Sequence, residues 1–243
     1  MKLKKTTILA YEKFHALTSH KSKQHKEIPL DQWPKEWRKI DYKAYPRLNS
    51  IQLPRKHLPR ITLEKILERR ISCRKFSKKK LTLQDLGSLF LYSAGLKSDS
   101  TFRYYPSAGA RFPLEFYFIS TNTVLPNGVY HYYPRSHCLE QILTFDVFDY
   151  DIYVNQPWIK EAGGLIIITS LFKRTVNKYG NRGYRYIISE SGHLGQNVYL
   201  VSACLDLACC GIGGFEDEKM NKLLDIRGHD ESSLYCFAIG KKV

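Results

Sequence analysis

The sequence predicts an α+β fold. Three observations predict it. Apolar residues recur at helical spacing over residues 63–71 and again over 184–207. Aliphatic and aromatic runs bounded by turn residues read as strands at 114–121, 129–133, 165–168 and 234–239. The order of these elements lacks the strict strand–helix alternation of a doubly wound sheet. With 243 residues, 43% of them hydrophobic, the chain can bury a sizeable core.

Residues 1–60 are expected to be a basic N-terminal arm, and residues 61–243 the folded domain. The arm has 15 Lys/Arg against 5 Asp/Glu, so +10 of the formal +15 charge sits in the first quarter. Prolines at 29, 34, 46, 54 and 59 break any long periodicity, which leaves a short helix near Leu9–Leu17 followed by extended chain. Such a segment suits an anionic partner: nucleic acid, an acidic peptide or another protein. A solvated basic surface explains it equally well.

From Thr62, Leu63, Ile66 and Leu67 form a helical stripe that ends in the run Arg69-Arg70-Ile71-Ser72-Cys73-Arg74. Thr82-x-x-Asp85 is a capping-box signature before Leu83, Leu86, Leu89 and Phe90, with Gly95 as the stop. The 114–121 run turns at Pro126-Asn127-Gly128 into Val129–Tyr133, as a hairpin does. Leu139–Trp158 has no readable pattern. Tyr184–Leu207 carries Ile187, Ser191, Leu194, Val198, Val201 and Leu205 and reads as the core helix.

Six cysteines show neither a CxxC pair nor zinc-site spacing, so reduced thiols and no metal are expected. Thr6–Ala10 is too short for a signal peptide, and Val198–Phe215 falls short of a membrane span. The expectation is a cytoplasmic protein without a membrane segment.

Several clusters carry chemistry. Arg70, Ser72 and Arg74 place two guanidiniums and a hydroxyl together, a phosphate clamp; a basic helix end favoured by the helix dipole is the plainer account. Pro106-Ser107-Ala108-Gly109-Ala110-Arg111 is a small-residue loop that lets backbone N–H groups approach a planar or phosphorylated ligand, or else a tight connection into a strand. Lys178-Tyr179, read as lying in a polar loop, pairs an amine with a phenol. Beside a flavin such a lysine can serve as general base, and without one the pair is ordinary loop surface. His193 is a core histidine or a ligand-facing one. Gly211-Ile212-Gly213-Gly214-Phe215 follows a helix, so it is not a dinucleotide fingerprint.

Taken in order, five blocks resemble the nitroreductase superfamily, and within it the SagB/ThcOx-type azoline dehydrogenases. The blocks are Arg69–Phe76, Tyr105–Glu115, Gly128–Tyr132, Gly183–Tyr186 with Glu190, Gly192, His193, Gln196 and Asn197, and Gly211–Phe215. The resemblance spans about Leu63 to Gly240 and implies a dimeric, FMN-binding α+β fold with a mixed sheet flanked by helices. By that resemblance Arg70, Ser72 and Arg74 contact FMN at its phosphate and pyrimidine edge. Ser107, Gly109, Ala110 and Arg111 continue the flavin site, Gly213 and Gly214 lie against the isoalloxazine ring, and Lys178 and Tyr179 are catalytic. Many nitroreductases extend further and supply a basic residue to the phosphate, a role for which only Lys241 and Lys242 are candidates here.

The implied reaction oxidises a thiazoline or oxazoline ring in a ribosomally made, modified precursor peptide to the azole, with a homodimer as the working unit and a cyclodehydratase complex as a further partner. The rivals are an NAD(P)H-dependent nitroreductase or quinone reductase on the same fold, and a flavin-free basic module binding nucleic acid, the disfavoured partner.

Overall fold

The computed structural model describes residues 10–19, 28–38, 41–98, 100–153 and 156–243. The first helix, α1, spans Ala10–Thr18; its expected start at Leu9 lies outside the described residues. A short α2 (Lys35–Arg38) and an edge strand β1 (Ser50–Gln52) follow within the segment expected to be an arm. Then come α3 (Leu63–Arg69), α4 (Leu83–Ala94), β2 (Leu114–Ser120), β3 (Gly128–Tyr133) and β4 (Cys138–Thr144). The chain continues through β5 (Gly164–Leu171), α5 (Lys173–Tyr179), α6 (Arg182–Cys204), β6 (Leu207–Ile212), α7 (Asp217–Leu223) and β7 (Glu231–Lys241).

The seven strands form one sheet in the order β1-β4-β3-β2-β5-β7-β6. The α+β class and the flanking helices are as the sequence predicts. The strand directions refine the expected mixed sheet: all pairings between these strands are antiparallel, and the parallel contact is an isolated bridge, Leu81–Thr123.

Both faces of the sheet are covered. Side chains alternate along a strand, so Phe116, Phe118, Ile166, Ile168, Phe237 and Ile239 pack on the side of α4 and α6. Tyr117, Ile119, Leu165, Ile167, Cys236 and Ala238 pack on the other side with Phe148, Ile152 and Met220. Phe90 of α4 meets Phe116 and Phe118 with ring centroids 5.3 and 5.4 Å apart. Truncating such a ring to alanine costs about 3–5 kcal/mol. The capping box of α4 is formed: the Thr82 N–H donates to Asp85 Oδ2 at 2.8 Å, and the Asp85 N–H donates to Thr82 Oγ1 at 3.2 Å.

Three expectations are corrected. The patternless stretch after Leu139 holds β4, and the long helix ends at Cys204, not Leu207. Asp206, at φ +56°, turns the chain into β6, whose apolar run is continuous with the helical pattern before it. Lys178 and Tyr179 lie at the end of α5, not in a polar loop.

A buried charge chain fixes α5 to the sheet. His131 of β3 sits between Glu140 at 2.8 Å and Glu115 at 3.0 Å, and Glu115 pairs with Arg174 at 2.5 Å. Burial alone would raise the Glu115 carboxyl, but Arg174 and then His131 hold it down at about 2. Burial would lower the His131 imidazole, and Glu115 and Glu140 raise it instead. Arg174 also donates to the Phe112 carbonyl at 3.1 Å, at the entrance to β2. Lys178 is one helical turn beyond Arg174, so this chain sets where its amine points.

Among the described residues no helix is long and apolar enough to cross a membrane, and no group of acidic, His and Cys side chains could hold a metal ion. All six cysteines are free thiols.

Candidate active site

The basic run begins where α3 stops. Arg70 leaves the helix with φ −67° and ψ 108°, and the chain then runs beside β6, with the Cys73 N–H donating to the Cys209 carbonyl at 2.9 Å. In extended chain alternate side chains share a face, and both Arg70 and Ser72 reach Tyr199 of α6. The Arg70 guanidinium lies 5.6 Å from the Tyr199 ring centroid, and Ser72 Oγ is 3.0 Å from the Tyr199 hydroxyl. That hydroxyl also accepts the Gly211 N–H at 2.7 Å. Arg74 lies 5.7 Å over the Trp158 ring. Neither guanidinium has a carboxylate in ion-pair range among the described residues, so two cations and a hydroxyl stand ready for an anion.

The small-residue loop lies at the other end of the site. Gly109 has φ +58°, a region where a side chain is strained. Ser107 Oγ donates to Glu190 Oε2 at 2.7 Å and accepts the Phe112 N–H at 2.8 Å. Glu190 is buried, and its Oε1 has no hydrogen-bond partner among the described residues. Burial pushes this carboxyl up to about 8, against the pull of Ser107 and Arg103. Arg111 is buried, donating to the carbonyls of Arg174 at 2.9 Å and Trp37 at 2.6 Å. It therefore ties α2, the loop and α5 together.

Lys178 and Tyr179 converge on Gly109. A Cβ there would collide with the Tyr179 hydroxyl and lie 3.2 Å from Lys178 Nζ. Burial and then the nearby Arg111 lower the Lys178 amine below its ordinary value. Burial and then Tyr186 raise the Tyr179 phenol, which stays protonated and able to donate. Lys178 Nζ lies 3.4 Å from the Trp33 ring centroid. The cavity beside this group measures about 400 Å³ and is lined by Trp33, Trp37, Arg38, Phe102, Gly109 and Arg111, among others.

The structure thus brings Ser107, Gly109, Ala110, Arg111, Lys178 and Tyr179 together, and separately Arg70, Ser72 and Arg74. Glu190 and Tyr199 belong to the two groups and are nine residues apart on α6, roughly 13 Å along its axis. Gly213 and Gly214 follow β6, and a Cβ at Gly213 would meet open space. His193 is exposed on α6, so the core reading of it is overturned. Lys241 and Lys242 are engaged by Asp85 at 2.8 Å and Asp206 at 2.7 Å.

Sequence reasoning missed Trp33, Trp37, Glu190 and Tyr199 as site residues. Glu190 alone left a signal, a carboxylate on the apolar stripe of α6 between Ile187 and Leu194.

A family model described as the nitroreductase family matches residues 67–241. MJ1384 of Methanocaldococcus jannaschii, named as a nitroreductase, is 34% identical over 198 residues, 80% of this chain and 97% of that protein. The microcin B17-processing protein McbC of Escherichia coli is 29% identical over 159 residues, 61% of this chain. The trifolitoxin-processing protein TfxB of Rhizobium leguminosarum is 26% identical over 172 residues, 64% of this chain. The match spans 58% of McbC and 46% of TfxB.

Solved structures share the fold. One from Anabaena variabilis, titled as a nitroreductase, aligns with a TM-score of 0.71 at 24% identity over 96% of this chain and 47% of that one. A chain of the E. coli microcin synthetase McbBCD complex with truncated pro-MccB17 bound aligns at 0.64 and 22% identity, over 94% of this chain and 86% of that one. A nitroreductase-type chain from Desulfovibrio desulfuricans, solved with FMN, aligns at 0.53 and 14% identity, over 76% of this chain and 88% of that one.

Proposed function

The chain belongs to the nitroreductase family of oxidoreductases, and from that premise we propose that it is an FMN-dependent dehydrogenase that oxidises azoline rings to azoles in a modified precursor peptide. The observation that carries this reading is the pairing of Lys178 and Tyr179 over Gly109 beside an aromatic cavity. The likeness to McbC and TfxB, named for processing microcin B17 and trifolitoxin, supports it.

The residues present fit FMN. Arg70, Ser72 and Arg74 would serve as donors for the phosphate end, Ser107, Gly109, Ala110 and Arg111 would line the ring end, and the open space at Gly213 would leave room for a flat group. Glu190 and Tyr199, which contact the two groups, are roughly 13 Å apart along α6. The reading includes a homodimer, as the family resemblance implies. FMN held there supplies the two-electron acceptor, with dioxygen as terminal oxidant.

Oxidation of an azoline removes two electrons and two hydrogens. Lys178, with its amine lowered by burial and Arg111, takes the acidic ring proton. Tyr179, with its phenol kept protonated, donates a hydrogen bond that steadies the ring. Glu190 holds Ser107, and through it the loop that carries Gly109.

The second reading, an NAD(P)H-dependent nitroreductase, is favoured by the match to nearly the whole of MJ1384. Offering the flavin-loaded protein a thiazoline peptide under air, and separately NADPH with a nitroaromatic, separates the two. Loss of two hydrogens from the peptide supports the dehydrogenase; nitroaromatic reduction with an unchanged peptide replaces it with the reductase. A cyclodehydratase partner remains part of the proposal, tested by co-purification.

A further inference from the structure

Trp33 and Trp37 belong to the basic leading segment, which the oxidation chemistry leaves without a task. Lys178 Nζ lies 3.4 Å from the Trp33 ring centroid and 5.5 Å from that of Trp37. The two indoles meet edge to face with centroids 6.0 Å apart. Both are held from behind: the Trp33 indole N–H donates to the Ile28 carbonyl at 2.9 Å, and the Trp37 carbonyl accepts from Arg111 at 2.6 Å. The arrangement opens onto the 400 Å³ cavity, whose other walls include Phe102 and Phe112, with Arg38 also on its lining. A cavity of this size takes a single ring with a little chain on either side.

The contact opposes the chemistry assigned to Lys178. An aromatic face attracts the charged ammonium and favours it over the free amine, whereas a general base must be free. A ligand that displaces the amine from Trp33 removes that obstacle. A planar, uncharged heterocycle suits the indole face.

We propose that Trp33 is the recognition residue for the substrate's heterocycle: the ring of the modified peptide stacks on the Trp33 face, in the place the Lys178 ammonium holds in this fold. The displaced ammonium loses its cation–π partner, releases its proton to solvent, and stands beside the ring it is to deprotonate. Trp37 closes the edge of the stack. The identity of the ring rests on the azoline dehydrogenase reading; its place rests on the cavity and the indole contacts.

The test uses the flavin-loaded full chain as wild type, Trp33→Leu and Trp33→Phe. The probe is a short peptide with one thiazole between two glycines, a product that binds without turning over. Calorimetric titration and tryptophan fluorescence give the affinity. Trp33→Leu is expected to weaken binding about tenfold, the loss of one aromatic stack, and Trp33→Phe to retain most of it. Flavin content stays that of wild type in both. With the corresponding thiazoline peptide, the acid limb of the kcat/KM profile of Trp33→Leu moves to lower pH, because the charged amine has lost its partner; a merely structural role leaves that limb in place.

Equal affinity in all three proteins overturns the inference, and with normal wild-type turnover it leaves the dehydrogenase reading intact. A wild type that binds no thiazole peptide overturns both. Binding that depends on Trp33, found with a Lys178→Ala protein of undiminished activity, supports the inference and removes the base assignment instead.

Discussion

The Tyr179 hydroxyl fills the space that a side chain at Gly109 would need, with the Lys178 amine 3.2 Å from the same point. Glycine is required there twice over, since φ is also +58°. Gly109→Ala is expected to lower melting stability by about 1–2 kcal/mol from the left-handed backbone alone. It also pushes Tyr179 and Lys178 off their positions, so azoline oxidation falls further than flavin content does. Thermal denaturation beside turnover checks this, and an alanine variant of full activity contradicts it.

The cation pair at the end of α3 is predicted to hold the flavin phosphate. Arg70→Ala or Arg74→Ala removes a charge-assisted contact worth roughly 1.5–3 kcal/mol. Flavin absorbance should drop in each variant while circular dichroism is unchanged. Full flavin occupancy in both removes the clamp.

Glu190 gives a pH prediction. Its carboxyl titrates at about 8 in the fold against an ordinary 4.5. The folded state therefore binds the extra proton, and this contribution to stability is complete below pH 4.5 and lost as pH rises through about 8. Glu190→Gln, which cannot ionise and can still accept from Ser107, should flatten the decline in melting temperature between about pH 5 and pH 9. Parallel declines in the two proteins contradict the assignment.

Much of the fold was legible because the signals were local. The Thr82–Asp85 cap and the Pro126–Gly128 turn are written in a few adjacent residues and appear where expected. What was not legible depends on distant chain. β6 hides in an apolar run continuous with α6, and only the positive φ of Asp206 separates them. Trp33 and Trp37 look like ordinary arm residues until α5 brings Lys178 to them across some 140 positions of sequence. The polar loop expected around Lys178 is helical because Arg174, one turn earlier, is anchored to Glu115, a partner that no spacing rule relates to it.

That anchor yields a further prediction. Glu115→Ala leaves Arg174 and His131 as buried cations without their shared carboxylate, a change that costs about 3–5 kcal/mol. The denaturation midpoint should fall accordingly. Glu115→Gln should recover part of the loss by hydrogen bonding, and a midpoint unchanged in Glu115→Ala rules out the anchoring role.

A homodimer is expected in solution. Leu63, Leu67 and Ile71 form an apolar stripe along and just beyond α3, exposed by 63, 50 and 57% in the single chain. Sedimentation should give twice the chain mass, and Leu67→Lys should shift it toward monomer. A flavin-loaded wild-type monomer contradicts the dimeric site.

The central claim is that Lys178 is the base of an azoline oxidation. The direct measurement is mass spectrometry of a thiazoline peptide after incubation with flavin-loaded wild type and with flavin-loaded Lys178→Ala. Wild type should remove two hydrogens, at a kcat/KM that rises with pH through an amine limb below the ordinary 10.5. Lys178→Ala should keep its flavin and peptide affinity and lose about 10²–10⁴-fold in rate. A Lys178→Ala protein that oxidises the peptide at the wild-type rate contradicts the account.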